Sequence, residues 1–233
     1  MKLKTSRLKI RTFWFLTSVI LLLAIFFISY IKIFRSHHLE YLVSNSSDYM
    51  SKSEQHKSNL NQNYNCIIFG DSRSLNHGLK CNTTINLSIG GETLNTLRKR
   101  LRNLHFKDSI KIIINLGIND FLFNYDFEEM VSNYKLVIDE INSLTDFSSI
   151  YCCELIGINA EGFFFNKNVI NKNVENFNSE IKNWPSSNNS LNMYFNLDMS
   201  LFNNNLDAYL SSDGVHLNKL GSQNLDSIYN KIF

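Results

Sequence analysis

No acidic residue occurs in the first 35 positions, and no charge of either sign occurs between Thr12 and Ile31. The uncharged stretch is rich in Phe, Leu and Ile and lasts about 20 residues, the length of helix needed to cross a bilayer. Lys2, Lys4, Arg7, Lys9 and Arg11 precede it, and a basic flank of this kind stays in the cytoplasm. A cleaved signal peptide would carry an apolar core of about 7–15 residues and then a small-residue cleavage site. Here bulky Tyr30-Ile31-Lys32-Ile33-Phe34 follows instead. The expectation is a cytoplasmic flank at 1–11, an uncleaved single-pass membrane anchor at 12–34, and an extracytoplasmic remainder.

The other scarcities narrow the field further. The first 35 residues hold seven of the 23 Lys and Arg, which leaves 16 basic against 21 acidic residues beyond them. That outer part is net −5, although the whole chain is +2. An acidic domain excludes nucleic acid as the partner, because such binding needs a basic footprint. The four cysteines, Cys66, Cys81, Cys152 and Cys153, include no Cys-x-x-Cys pair, so they form neither a disulfide framework nor a zinc site. Adjacent Cys152 and Cys153 fall in a strand, where neighbours face opposite ways, and read as small core residues. A Cys66–Cys81 bridge stays open in an oxidising compartment. His37 and His38 have no partner motif and read as solvated. Internal repeats are absent, and proline occurs once, at Pro185.

Residues 35–65 are polar, with little periodicity beyond a helical patch around Leu39–Val43, and read as a stalk lifting a domain off the membrane. From Cys66 onward, short apolar runs alternate with helical stretches, the signature of a parallel sheet with crossover helices. The strand candidates are Ile67–Gly70, Thr84–Ile89, Ile110–Leu116, Ser149–Ile156 and Asn192–Leu197. Helices are expected after Thr93, with Leu94, Leu97, Leu101 and Leu104 inward. Others are expected over Phe127–Leu144, with Val131, Tyr134, Ile138 and Ile141 inward, and over Asn168–Trp184, with Val174, Phe177 and Ile181 inward and Pro185 as its stop. Arg98, Lys99, Arg100 and Arg102 read as a solvated basic face.

Polar punctuation falls directly after these strands: Gly70-Asp71-Ser72, Gly90-Gly91-Glu92-Thr93 and Gly117-Ile118-Asn119-Asp120. In a parallel sheet all three converge on one edge, where open α/β sheets place their ligands, and Asp213-Gly214-Val215-His216 can join them. Serine-type hydrolysis needs a nucleophile, a base, a carboxylate to orient the base, and donors for the oxyanion. Ser72, His216 and Asp213 supply the first three. A three-residue spacing lets the carboxylate reach imidazole Nδ1 and leaves Nε2 to take the serine proton. The donors are the N–H groups of Ser72 and of Gly91, with Gly90 as the alternative to Gly91, and the side-chain amide of Asn119. Asp71 holds the turn and is not the acid partner.

In these four blocks, from about Cys66 to Phe233, the chain resembles the SGNH (GDSL-type) hydrolases. The resemblance implies a flavodoxin-like three-layer α/β/α sandwich with a parallel five-stranded sheet, order 2-1-3-4-5. It also implies metal-independent, cofactor-free ester chemistry by Ser72, Asp213 and His216, as hydrolysis or acyl transfer. Arg73 departs from the family's name-giving Leu and reads as a surface residue at a helix start or a contact for an anionic substrate group. Leu217 replaces a common Pro. Ser72, Gly91 and Asn119 lie too close in sequence for a large apolar lid, so short acyl groups on a polar carrier, such as an O-acetylated surface glycan, are the expected substrate. The competing readings are a lipase or thioesterase for longer chains, which Phe163-Phe164-Phe165 could serve, and a non-catalytic accessory module.

Overall fold

In a computed structural model the described residues are 2–75, 77, 83–162, 165–182, 193–199, 202 and 206–232. Cys81, Phe163, Phe164 and Pro185, and the expectations attached to them, lie outside these. The strands are β1 (Cys66–Gly70), β2 (Thr84–Asn86), β3 (Lys111–Asn115), β4 (Ser149–Cys153) and β5 (Met193–Leu197). They form one five-stranded sheet, parallel throughout, in the order β2-β1-β3-β4-β5. The register aligns Gly70 with Asn115 and Cys66 with both Thr84 and Lys111. Strand β2 is shorter than its apolar run, because the Asn86 side chain accepts from the N–H of Ser88 and donates to Ser74 O. Leu87 and Ile89 nevertheless continue to donate to Ile68 O and Gly70 O of β1.

Both faces of the sheet are covered, which explains near-continuous rather than alternating apolar strands. On one face Ile67, Phe69, Ile112, Ile114, Ile150 and Cys152 pack against α3 (Leu94–Leu101), α5 (Phe127–Leu144) and α6 (Lys167–Lys182). On the other, Cys66, Ile68, Ile113 and Cys153 pack against Leu197, Met199, Phe202, Leu206 and Leu210 and against the apolar side of α7 (Lys219–Tyr229). Cys152 and Cys153 thus face opposite layers, as strand alternation requires. Three of these helix starts have a cause in the sequence. Thr93 and Thr96 form a capping box, Asp126 accepts from Glu129 N–H, and Asn218 accepts from Leu220 and Gly221 N–H groups.

The segment ahead of the sheet differs from a loose stalk. One helix, α1 (Lys2–Ser44), runs through the apolar stretch and on through residues 35–44 of the expected stalk, and α2 (Ser47–Asn59) follows a Ser46 cap. Thr12–Tyr30 within α1 is long and apolar enough to cross a membrane, and none of it is buried. Beyond it, side chains that looked solvent-facing are satisfied against the domain. Glu40 is buried and accepts from Asn95 Nδ2 (2.8 Å), Lys99 Nζ (2.7 Å) and the Tyr125 hydroxyl. Tyr49 donates to Glu92 at 3.0 Å, and His56 Nδ1 accepts from Arg100 Nη1 at 3.0 Å. Polarity here marks a hydrogen-bonded seam.

Candidate functional site

The carboxyl ends of β1 to β3 share one edge, and the turns that bear Ser72, Gly91 and Asn119 leave from it. Directly after β1, Asp71 starts a 3-10 turn over Ser72–Ser74, accepting from the N–H of Arg73 at 2.8 Å through its side chain and of Ser74 at 3.0 Å through its carbonyl. Burial pushes the Asp71 carboxyl upward, with the Arg73 charge opposing. The aspartate therefore fixes the turn, and Ser72 is left half-buried at its start.

The Ile89–Glu92 turn lies alongside. Glu92 N–H donates to Ile89 O at 3.2 Å, and Gly91 takes φ +76°, the left-handed value that a type II turn demands of its third residue. A Cβ placed on Gly90 would lie 4.0 Å from Ser72 Cβ, and one on Gly91 would lie 3.3 Å from both Val43 methyls. The turn is thus wedged between the Ser72 turn and the end of α1. Glu92 and Arg100 form a fully buried ion pair at 2.7 Å, and Arg100 also donates to Leu87 O. Arg100 is consequently no part of a solvated basic face, because an acid eight residues earlier, in the loop before α3, takes it inward. Helix α4 (Ile118–Leu122) follows β3, and the Asn119 amide donates one proton to Glu92 O at 3.0 Å, keeping its second for another acceptor. Asp120 accepts from Leu94 N–H at 3.2 Å and ties α4 to α3.

The last block forms a compact loop. His216 Nδ1 lies 2.6 Å from Asp213 Oδ2, and Asp213 Oδ1 accepts from the N–H groups of Val215 (2.8 Å) and His216 (2.7 Å). Partial burial opposes the charge on Asp213, but the His216 side chain and those two N–H groups outweigh it and hold its carboxyl well below the usual range. Gly214, at φ +76°, presses against Asn159, where a Cβ would meet the carbonyl oxygen at 2.5 Å. Both Asp213 and His216 stay about half exposed, at 51% and 55%. Ser72 Oγ bonds to no described residue, His216 included. Apo catalytic contacts often close only around substrate.

Several supports were not anticipated. Arg73 is buried and donates to the carbonyls of Val215 (2.8 Å), Gly157 (3.0 Å) and Ile156, so it is neither a surface residue nor placed for a substrate anion. Ser74 Oγ and Asn115 Nδ2 both meet the Tyr229 hydroxyl, at 3.1 and 2.7 Å, and His77 bridges Asp226 and Arg73 O. These bonds pin α7 beneath the Ser72 turn. Phe165 packs against the core. A cavity of about 550 Å³ between α4 and α6, lined by Phe121, Tyr125, Phe165 and Ile170 among others, includes none of the expected site residues.

Fold and side chains together define a flavodoxin-like α/β protein with serine, histidine and aspartate gathered at the carboxyl edge of its sheet. Residues 71–223 match the GDSL-like lipase/acylhydrolase family, and the chain belongs to it. Among solved structures it is similar to a candidate platelet activating factor from Streptococcus pneumonia, with TM-score 0.65, 18% identity, and 84% of this chain and 96% of that one covered. A candidate acylhydrolase from Bacteroides fragilis gives TM-score 0.63 at 19% identity, covering 81% and 97%. A curated relative, the N-acylneuraminate cytidylyltransferase of Streptococcus agalactiae serotype V, is 25% identical over 193 residues. That match takes in 82% of this chain but only 44% of the relative, so the chain spans less than half the length of the curated relatives it matches.

Proposed function

We propose that this protein is a serine esterase that hydrolyses or transfers short acyl groups on an extracytoplasmic substrate. The observation that carries the reading is the 2.6 Å Asp213–His216 pair, whose loop is bonded to the turn bearing Ser72. In the reaction, Ser72 Oγ attacks the acyl carbonyl carbon while His216 Nε2 takes its proton. Asp213 holds the Nδ1–H and stabilises the imidazolium. The oxyanion accepts from the N–H groups of Ser72 and Gly91 and from the second amide proton of Asn119. As the tetrahedral adduct collapses, His216 returns the proton to the departing alcohol. A water, or an acceptor hydroxyl in the transfer variant, then attacks the acyl-serine with His216 again as base. No step needs a metal or cofactor.

An O-acylated glycan is the substrate class that fits best. The short spacing of the blocks leaves no room for a large lid, and the cavity that Phe165 lines includes none of the proposed site residues. The curated relatives are named for N-acylneuraminate, itself an acyl-bearing sugar. The Thr12–Tyr30 helix serves as a single-pass membrane anchor, with the basic flank cytoplasmic and the domain outside.

The test is an ester panel with purified full-length protein. Acetyl and butyryl esters should be cleaved faster than decanoyl esters. Ser72→Ala and His216→Ala should abolish turnover, and Asn119→Ala should lower kcat by about 10²–10³ with folding intact. Wild-type turnover by Ser72→Ala ends the serine mechanism, and a preference for decanoyl esters ends the glycan reading.

A further inference from the structure

Arg73 links the two halves of the proposed apparatus. Its backbone adjoins Ser72, and its Nε donates at 2.8 Å to the carbonyl of Val215, the residue before His216. The rest of the guanidinium is fixed on the chain leaving β4, through Gly157 O at 3.0 Å and Ile156 O. Three consecutive carbonyls of the histidine loop are therefore held by three different groups. Gly214 O accepts from Asn159 N–H at 2.7 Å, Val215 O from Arg73, and His216 O from Ser211 Oγ at 2.5 Å. Only the middle grip comes from the turn of the nucleophile. The side chain is 5% exposed. Burial disfavours its charge, and the carboxylates of Asp71 and Asp213 favour it. The leucine of the family's name-giving motif could fill this space but would hold none of the carbonyls. A lysine would bring the charge without the rigid fork that spans three acceptors.

We infer that Arg73 is a positioning residue, setting where His216 stands relative to Ser72 by gripping the Val215 carbonyl from the nucleophile's own turn. The inference rests on Ser72 and His216 acting as nucleophile and base. A base displaced by about 1 Å costs about 10²-fold in rate, and the loss should fall on kcat, since Arg73 faces backbone and not substrate.

The experiment uses full-length protein and two readouts, turnover of an acetyl ester and the rate at which a fluorophosphonate labels Ser72. Arg73→Ala should slow labelling by about 10²-fold and lower kcat alike with KM little changed. Free guanidinium at a non-denaturing concentration should restore part of both rates. Arg73→Lys should lie between Arg73→Ala and the wild type and ignore guanidinium. Labelling of Arg73→Ala at the wild-type rate overturns the inference and leaves the catalytic reading standing. So does a loss that guanidinium does not repair and that follows thermal stability, because that is a purely structural role. If Arg73→Ala does not fold, Arg73→Lys decides, and wild-type rates there overturn the inference. A wild-type chain that turns over ester without labelling at Ser72 overturns the inference together with the catalytic reading.

Discussion

Lowering the pH from 7 to 5 should destabilise the seam between α2 and the domain through one side chain, His56. The imidazole is 6% exposed, and its Nδ1 accepts from Arg100 Nη1 at 3.0 Å. A proton on that nitrogen would set N–H against N–H beside a buried guanidinium. Burial, then the charge of Arg100, then that of Lys52 hold the histidine down to about 4. In the unfolded chain it titrates near 6.5. Between these values the unfolded chain binds a proton that the folded one refuses. The neutral histidine's contribution is thus complete above about 6.5, is lost as pH falls, and levels off below about 4. The whole displacement is worth about 3 kcal/mol, of which about 2 kcal/mol is gone by pH 5. In a chain of this size that lowers Tm by about 4–8 °C. Thermal unfolding of the detergent-solubilised full chain at both pH values, beside His56→Gln, measures it. Glutamine does not titrate, and groups that titrate in both proteins cancel in the comparison. Equal losses in the two proteins would refute the assignment.

Two further perturbations test the neighbouring contacts. Glu40→Ala orphans the buried Tyr125 hydroxyl and the Asn95 amide and should cost about 2–3 kcal/mol, read as a shifted denaturant midpoint with faster proteolysis within residues 35–60; an unchanged midpoint would show that α1 does not dock through Glu40. Gly91→Ala should cost about 1–3 kcal/mol for an alanine at φ +76°. Adding Val43→Ala should relieve the 3.3 Å methyl contact but not the backbone strain, so full recovery in the double variant would contradict the turn geometry.

The sheet was legible because each strand carries a local signal: a short β-rich run cut off by glycine or, at β5, by Asp198. Helix α5 falls on its expected bounds, Phe127–Leu144, since an Asp126 cap and a 3.6-residue apolar period agree. Strand ends were less legible. At β2 the shortening comes from the Asn86 side chain bonding to Ser88 and to the distant Ser74 carbonyl, and periodicity carries no trace of the second bond. The site blocks could be read because each follows a strand and parallel pairing brings strand ends together. Their supports could not. Arg73 reaches residues 83 and more positions away, and Arg100 meets an acid eight residues earlier that belongs to a loop. Both look like ordinary surface arginines until the fold supplies their partners.

The same blindness made a stalk of residues 35–65, and the correction bears on substrate. Helix α1 is unbroken from the apolar stretch to Val43, whose methyls stand 3.3 Å from where a Cβ on Gly91 would lie. From Tyr30 to Val43 is 13 residues, about 20 Å of helix at 1.5 Å per residue. With Thr12–Tyr30 in a bilayer, the helix itself would set the height of the Gly91 turn, up to about 20 Å above the apolar layer when α1 stands upright. Bringing the site down to lift an acyl chain from a lipid would mean tilting the whole domain with the helix. Otherwise it would mean breaking the Glu40, Tyr49 and His56 contacts together, and Glu40 and Tyr49 hold the loops on which Gly91 and Asn119 depend. An acidic domain of net −5 would also meet an anionic membrane surface unfavourably. Under the proposed esterase function, an anchor docked in this way would favour a carrier that comes to the site, such as a surface glycan, over a bilayer lipid.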